Sequence, residues 1–116
     1  MKNGLITYSD GSKEWWLNGL LHREDGPAYE CYDGYKAWRI NGKLNRVDGP
    51  AIEYPNGRKE WYLKGKLHRK DGPAVKHSNG TKEFWYNNKK YDKIDYYNLM
   101  VKKGHMTKTQ AFAEMI

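Results

Sequence analysis

Residues His22-Arg23-Glu24-Asp25-Gly26-Pro27-Ala28 bring an imidazole, a guanidinium and two carboxylates into one short segment, and near-copies begin at Asn45 and at His68. An imidazole beside a carboxylate is the arrangement of a general base and the group that orients it, which makes His22 with Asp25, and His68 with Asp71, the candidates for proton transfer. The middle copy argues against this chemistry, because Asn45 stands where the base would be. What all three copies keep is Arg-x-Asp-Gly-Pro: Arg23, Asp25 and Gly26, then Arg46, Asp48 and Gly49, then Arg69, Asp71 and Gly72. These are read as structural joints. Asp-Gly is expected to make a turn with positive φ, proline fixes the next φ, alanine permits close packing, and arginine pairs with its own aspartate. No catalytic residue is assigned and the chain is read as a non-enzyme.

Other site chemistries find little support. The four histidines and single cysteine include no Cys-x-x-Cys or His-x-x-x-His spacing, so no metal site is expected. The glycine-containing segments such as Asp33-Gly34-Tyr35-Lys36 read as hairpin turns and lack the strand-to-helix setting of a phosphate loop. No cofactor is expected. With Cys31 alone, no intrachain disulfide can form. The remaining signal is charge: 21 Lys and Arg against 14 Asp and Glu give a net +7, which favours anionic partners without choosing among them.

The elements that must position these residues follow from a repeat. Gly11, Gly34, Gly57 and Gly80 fall in register at a period of 23 residues, as do Lys13, Lys36, Lys59 and Lys82; Trp15, Trp38, Trp61 and Phe84; and Leu17, Ile40, Leu63 and Tyr86. A fixed period of this length marks a repeat architecture, each unit being one supersecondary element that cannot bury its own face. Within a unit, apolar and polar residues alternate and break at glycine-containing turns, the pattern of half-buried strands in hairpins. Period-two geometry puts Trp15 and Leu17, Trp38 and Ile40, Trp61 and Leu63, and Phe84 and Tyr86 on one apolar face. The second strands are expected to add Ile6, Tyr8, Tyr29, Cys31, Ile52, Tyr54, Val75 and His77 to it. The opposite face then carries Trp16, Arg39, Tyr62 and Trp85 among polar residues. Those rings either stiffen the sheet as cross-strand pairs or form a ligand-contacting surface.

Stacked units also align the cations. Each arginine has a local aspartate, so Lys36 and Lys59, with their sister lysines, are read as the free charge. A lysine row beside Trp16, Tyr62 and Trp85 could track phosphates and stack bases.

The fourth copy of the repeat fades after Asn88, and the array is taken to end at residue 91. Over residues 92–116 the strand alternation disappears, and Ile94, Tyr97, Met100 and Val101 recur at helical spacing up to Gly104. Thr107 and Gln110 fit a capping box that opens a second helix bearing Ala111, Phe112, Met115 and Ile116. The expectation is a mainly β chain: a four-unit array of β-hairpins over 1–91, forming a twisted single-layer antiparallel sheet, with a helical cap over 92–116. Only 38% of residues are apolar, but 15% are aromatic, including five Trp and ten Tyr, so a folded domain built on large rings is expected rather than disorder. The start of the chain lacks a secretion signal's apolar run and no stretch could span a bilayer, which points to a cytoplasmic protein without membrane insertion.

The unit G-x-K-E-W-x-x-N-G-x-L-H-R-x-D-G-P-A resembles the MORN-like repeats. The similarity is to the variant with W-x-x-N-G-K-L cores found in antitoxin-like bacterial proteins and in repeat proteins of phages and large DNA viruses. It covers residues 4–91 and departs from ordinary MORN repeats in the His-Arg-x-Asp-Gly-Pro insert and the C-terminal helices. The resemblance implies a hairpin array that binds proteins, or in some members lipids, without catalysis. Together with small size and basic charge, it implies an inhibitor acting in host cytoplasm on an acidic-surfaced host protein, such as a defence nuclease or nucleotide-signalling effector. The candidate contacts are Trp16, Arg39, Tyr62, Trp85, Lys36 and Lys59. Nucleic acid or nucleotide is the second partner class, and self-association stays open.

Overall fold

The computed structural model describes residues 1–116. Along the chain run β1 (Gly4–Thr7), β2 (Lys13–Leu17), β3 (Leu20–Leu21), β4 (Tyr29–Glu30), β5 (Lys36–Ala37), β6 (Arg39–Ile40) and β7 (Lys43–Leu44). There follow β8 (Ile52–Glu53), β9 (Lys59–Glu60), β10 (Tyr62–Leu63), β11 (Lys66–Leu67), β12 (Val75–Lys76), β13 (Lys82–Tyr86) and β14 (Lys89–Tyr91), then α1 (Lys93–Lys102) and α2 (Lys108–Met115). The fold is mainly β, an antiparallel hairpin sheet of ten strands closed at its C-terminal end by two short helices.

Two kinds of glycine turn produce this path. Gly11, Gly34, Gly57 and Gly80 have φ of 93°, 99°, 92° and 89°, and each ends a loop of three residues, as between the paired ends Tyr8 and Ser12. A left-handed residue is required there, which glycine supplies at no steric cost. The second kind is the two-residue turn Asn18-Gly19, Asn41-Gly42, Lys64-Gly65 and Asn87-Asn88, in which both residues have positive φ. It matches strand twist and closes the short hairpins β2–β3, β6–β7, β10–β11 and β13–β14.

The first turns build a meander in the order β1-β2-β4-β5-β8-β9-β12-β13-β14. The short hairpins stack beside it. Gly42, Gly65 and Asn88 each donate a backbone N–H to the preceding hairpin, at Leu21, Leu44 and Leu67 (2.8, 2.8 and 2.9 Å). Where the two rows meet, the chain passes through alanine: Ala28, Ala51 and Ala74 are fully buried, and their carbonyls accept from the amides of Trp15, Trp38 and Trp61. A larger side chain would hold the rows apart.

The register differs from the expected facing. Glu14, Tyr29, Ala37, Ile52, Glu60, Val75 and Glu83 lie directly opposite one another across successive strands. Tyr29, Ile52 and Val75 therefore share the face of Glu14 and Trp16, not that of Trp15, Trp38 and Trp61 as the alternation predicts. The three-residue loop sets this register, and a shift of one residue exchanges the faces of a whole strand. The other face carries the tryptophans with an almost continuous ladder of charge.

The cap replaces a missing joint. In the first three units Arg23, Arg46 and Arg69 lie over Trp15, Trp38 and Trp61, at 3.9, 3.9 and 4.1 Å from the ring centroids. The fourth unit has no such arginine, and Tyr96 and Tyr97 of α1 close on Phe84 instead, with ring centroids 5.0 and 5.4 Å away. Phe84, Tyr96, Tyr97, Met100 and Ala111 form the one compact apolar cluster, each large side chain adding about 1.5–3 kcal/mol by leaving water. The helical spacing predicts Ile94 on this buried stripe, but Ile94 is exposed and Tyr96 takes the place. Phe112 of α2 and Ile116, just past its end, are also exposed. Thr107 with Gln110 forms the reciprocal box expected at the start of α2, and α1 is also capped, by Asp92, which accepts from the Asp95 amide.

The molecule is elongated, 49 × 29 × 20 Å, with a radius of gyration of 16.2 Å. A globular chain of this length would have about 13 Å. No helix is long and apolar enough to cross a membrane.

Candidate binding face

The Arg-x-Asp-Gly-Pro segments resolve into joints whose parts serve the tryptophan of the same unit. Arg23, Arg46 and Arg69 each pair through Nε with their own aspartate, at 2.9, 3.3 and 2.8 Å. Each also donates through Nη1 to the proline carbonyl of the joint, at 3.2, 3.0 and 2.9 Å. Gly26, Gly49 and Gly72 do not have the positive φ that Asp-Gly predicts. Space is the reason for them: a Cβ would lie 2.7, 2.8 and 3.0 Å from the guanidinium carbon of Arg23, Arg46 and Arg69. Glycine is there so that arginine can fold back over the joint onto tryptophan.

The His-to-Asn exchange has an equally direct account. His22 Nδ1 accepts from the Asn41 amide at 2.9 Å, Asn45 Oδ1 from the Lys64 amide at 2.8 Å, and His68 Nδ1 from the Asn87 amide at 3.1 Å. In each case a side-chain acceptor ties one unit to the tight turn of the next. Asn3 does the same for Asn18 at the start of the array. Asparagine and neutral histidine are interchangeable in that role because each offers a lone pair at similar reach.

Trp16, Arg39, Tyr62 and Trp85, one from each unit, occupy one face, and all are half-buried. Three are pinned by a glutamate two residues earlier: Trp16 Nε1 donates to Glu14 at 3.1 Å, Tyr62 Oη to Glu60 at 2.9 Å, and Trp85 Nε1 to Glu83 at 2.9 Å. Glu60 is buried and also takes Arg58 Nε at 2.7 Å. Arg58 further donates to His77 Nδ1 at 2.8 Å, which leaves the imidazole proton on Nε2, facing Glu83. The indole of Trp85, then His77, hold the Glu83 carboxyl below the usual range. Burial, then Glu60, push the Tyr62 hydroxyl up.

The second unit departs from this pattern, with Ala37 and Arg39 where the sisters have Glu and a ring. There Tyr35 fills the face, its centroid 5.8 Å from Tyr29 and 5.3 Å from Tyr54. Arg39 is anchored by donating to the Gly42 carbonyl at 2.8 Å. Tyr29, Tyr35 and Tyr54 thus join the candidate face, although the sequence pattern assigns Tyr29 and Tyr54 to the other one. The legible signal was the loop length, which sets the register.

Lys36 and Lys59 lie on the opposite face, so the six candidate contacts do not form one site. Nor is their row free charge along its length. The cross-strand neighbours run Lys13, Glu30, Lys36, Glu53, Lys59, so acids sit between the first three cations. No protein-family model matches the chain, and no curated protein was found to be related to it.

Proposed function

We propose that the protein is a non-enzymatic protein-binding module whose contact surface is the face carrying Trp16, Tyr35, Arg39, Tyr62 and Trp85. The observation that supports this reading is the pinning of the rings. Aromatic side chains held by buried or half-buried glutamates lose little conformational freedom on binding, and rings with arginine are the residue types that dominate protein interfaces. The resemblance to MORN-like repeat proteins of phages supports a finer reading: an inhibitor in host cytoplasm that sequesters an acidic-surfaced defence enzyme, a nuclease or a nucleotide-signalling effector.

The experiment is affinity capture from bacterial lysate, with and without nuclease. A specific protein partner should persist after nuclease treatment. Trp16→Ala, Tyr62→Ala and Trp85→Ala, each checked for folding by circular dichroism, should weaken capture at least tenfold, chiefly by faster dissociation. Lys36→Gln with Lys59→Gln should leave it unchanged. Loss of the partner on nuclease treatment, or full capture by all three folded ring variants, would refute the proposal.

A further inference from the structure

The charge ladder on the tryptophan face breaks its own rule at one place. Its cross-strand sequence is Lys13, Glu30, Lys36, Glu53, Lys59, Lys76, Lys82, directly opposite one another in turn. Up to Lys59 every cation is followed by an acid. Lys59, Lys76 and Lys82 then stand side by side on neighbouring strands, an arrangement in which like charges directly opposite destabilise the sheet.

The sister joints show what Lys76 has displaced. Arg46 Nη1 donates to Glu53 Oε2 at 3.0 Å, and Arg23 Nη1 lies 3.9 Å from Glu30 Oε1. Arg69 has the same stack on Trp61, the same aspartate and the same proline carbonyl, but at the corresponding position it faces a lysine. The Lys76 ammonium lies 5.5 Å from the centroid of the same Trp61 ring. Burial, followed by the charges of Arg69, Lys82 and Lys59, lowers the Lys76 pKa from its ordinary value.

Arg69, Lys76 and Lys82 line a groove of about 720 Å³ that reaches the helical cap, where Lys90 and Lys93 continue its wall. The acids on that wall are Asp71, Glu83, Asp92 and Glu114. Asp71 is held by Arg69, Glu83 by Trp85 and His77, and Asp92 by its capping bond to α1.

We propose that Arg69, Lys76 and Lys82, flanked by Lys59, form a binding site for a small phosphate-bearing ligand at the junction of the third repeat and the cap. The Glu53 carboxylate on Arg46 marks where an oxyanion sits on the corresponding Arg69. Three ammonium groups added to that guanidinium call for more than one negative charge, which a phosphate or pyrophosphate group carries and a single carboxylate does not. The run of cations spans two strand intervals, about 10 Å. That length suits a di- or triphosphate and is too short to follow a nucleic-acid strand. The site lies on the face opposite the pinned rings, so it stands or falls independently of the protein-binding reading.

The test is calorimetric titration with pyrophosphate and with ATP at physiological salt, alongside sulfate and a short single-stranded oligonucleotide. Pyrophosphate or ATP should bind at one equivalent, more tightly than sulfate by at least tenfold. Lys76→Glu, which restores the alternation of the sister units, should weaken that binding at least tenfold while raising the melting temperature of the ligand-free protein; Lys76→Gln should show the same binding loss in smaller degree. The proposal is overturned by the absence of pyrophosphate and ATP binding at millimolar concentration, by equal binding of sulfate, or by unchanged affinity in folded Lys76→Glu. Oligonucleotide binding tighter than that of both phosphate compounds, and lost in Lys76→Glu, would also overturn it in favour of a nucleic-acid strand.

Discussion

At the scale of single residues, glycine and histidine act through the shape and lone pairs they provide. Gly49→Ala places a Cβ against the Arg46 guanidinium, which must leave Trp38 and the Pro50 carbonyl. The expected loss is about 2 kcal/mol in urea melts, from the cation–π contact and one hydrogen bond. In an Arg46→Ala background the same substitution should be nearly neutral, and that non-additivity separates lost space from backbone strain. His68 supplies a second prediction. Its Nδ1 must stay unprotonated to accept from Asn87, and burial, then the nearby His105 charge, with Lys70 adding to it, hold its pKa below the ordinary 6.5. The unfolded chain therefore takes up the proton more readily. Stability should fall as pH drops from about 7 through the unfolded value towards the lower folded one, and level off below it. His68→Asn, which copies Asn45, should remove that part of the pH dependence in thermal melts at successive pH values while keeping the fold.

At the scale of elements, the first position of the tight turns is asparagine in every unit but one. Asn18, Asn41 and Asn87 have φ of 51°, 50° and 49°, and Lys64 has 52° in the same place. Lysine tolerates the left-handed region poorly, whereas asparagine does so readily. Lys64→Asn keeps the backbone N–H that bonds to Asn45 and should stabilise the protein by about 0.5–1 kcal/mol. The urea midpoint should rise with no change in slope, since the surface exposed on unfolding is the same. A decrease would mean that the Lys64 side chain makes a contribution outweighing its backbone cost.

At the scale of the whole molecule, the array depends on how its ends are closed. Tyr96 Oη donates to the Arg69 carbonyl and accepts from the Gly72 amide, so one hydroxyl joins the cap to the last complete joint. Tyr96→Phe leaves those two backbone groups without their partner and should cost about 1–3 kcal/mol. Because repeat arrays distribute stability among neighbours, the loss should not spread evenly. Hydrogen exchange should accelerate first in the helices and the fourth unit, and least in the first two units; uniform acceleration would show that the chain unfolds as a single cooperative block.

The sequence by itself determined the repeat, its strands and turns, the two helices with the capping box of the second, and the structural nature of the Arg-x-Asp-Gly-Pro joints. Those features follow from spacing, local turn chemistry and residues that recur together, as when Asn45 stands in for histidine. Tertiary structure decided what depends on register and close approach. Tyr29, Ile52 and Val75 leave the tryptophan face because a three-residue loop pairs them with Ala37, Glu60 and Glu83 of the following strand. Gly26, Gly49 and Gly72 are required by an arginine that folds back, an interaction invisible in their φ preference. The lysines became three interleaved cations followed by a cluster only when cross-strand pairing set Glu30, Glu53 and Lys76 between them. Charge along a chain gives composition; charge across a sheet is set by cross-strand neighbours, which lie 6 or 17 residues away in sequence.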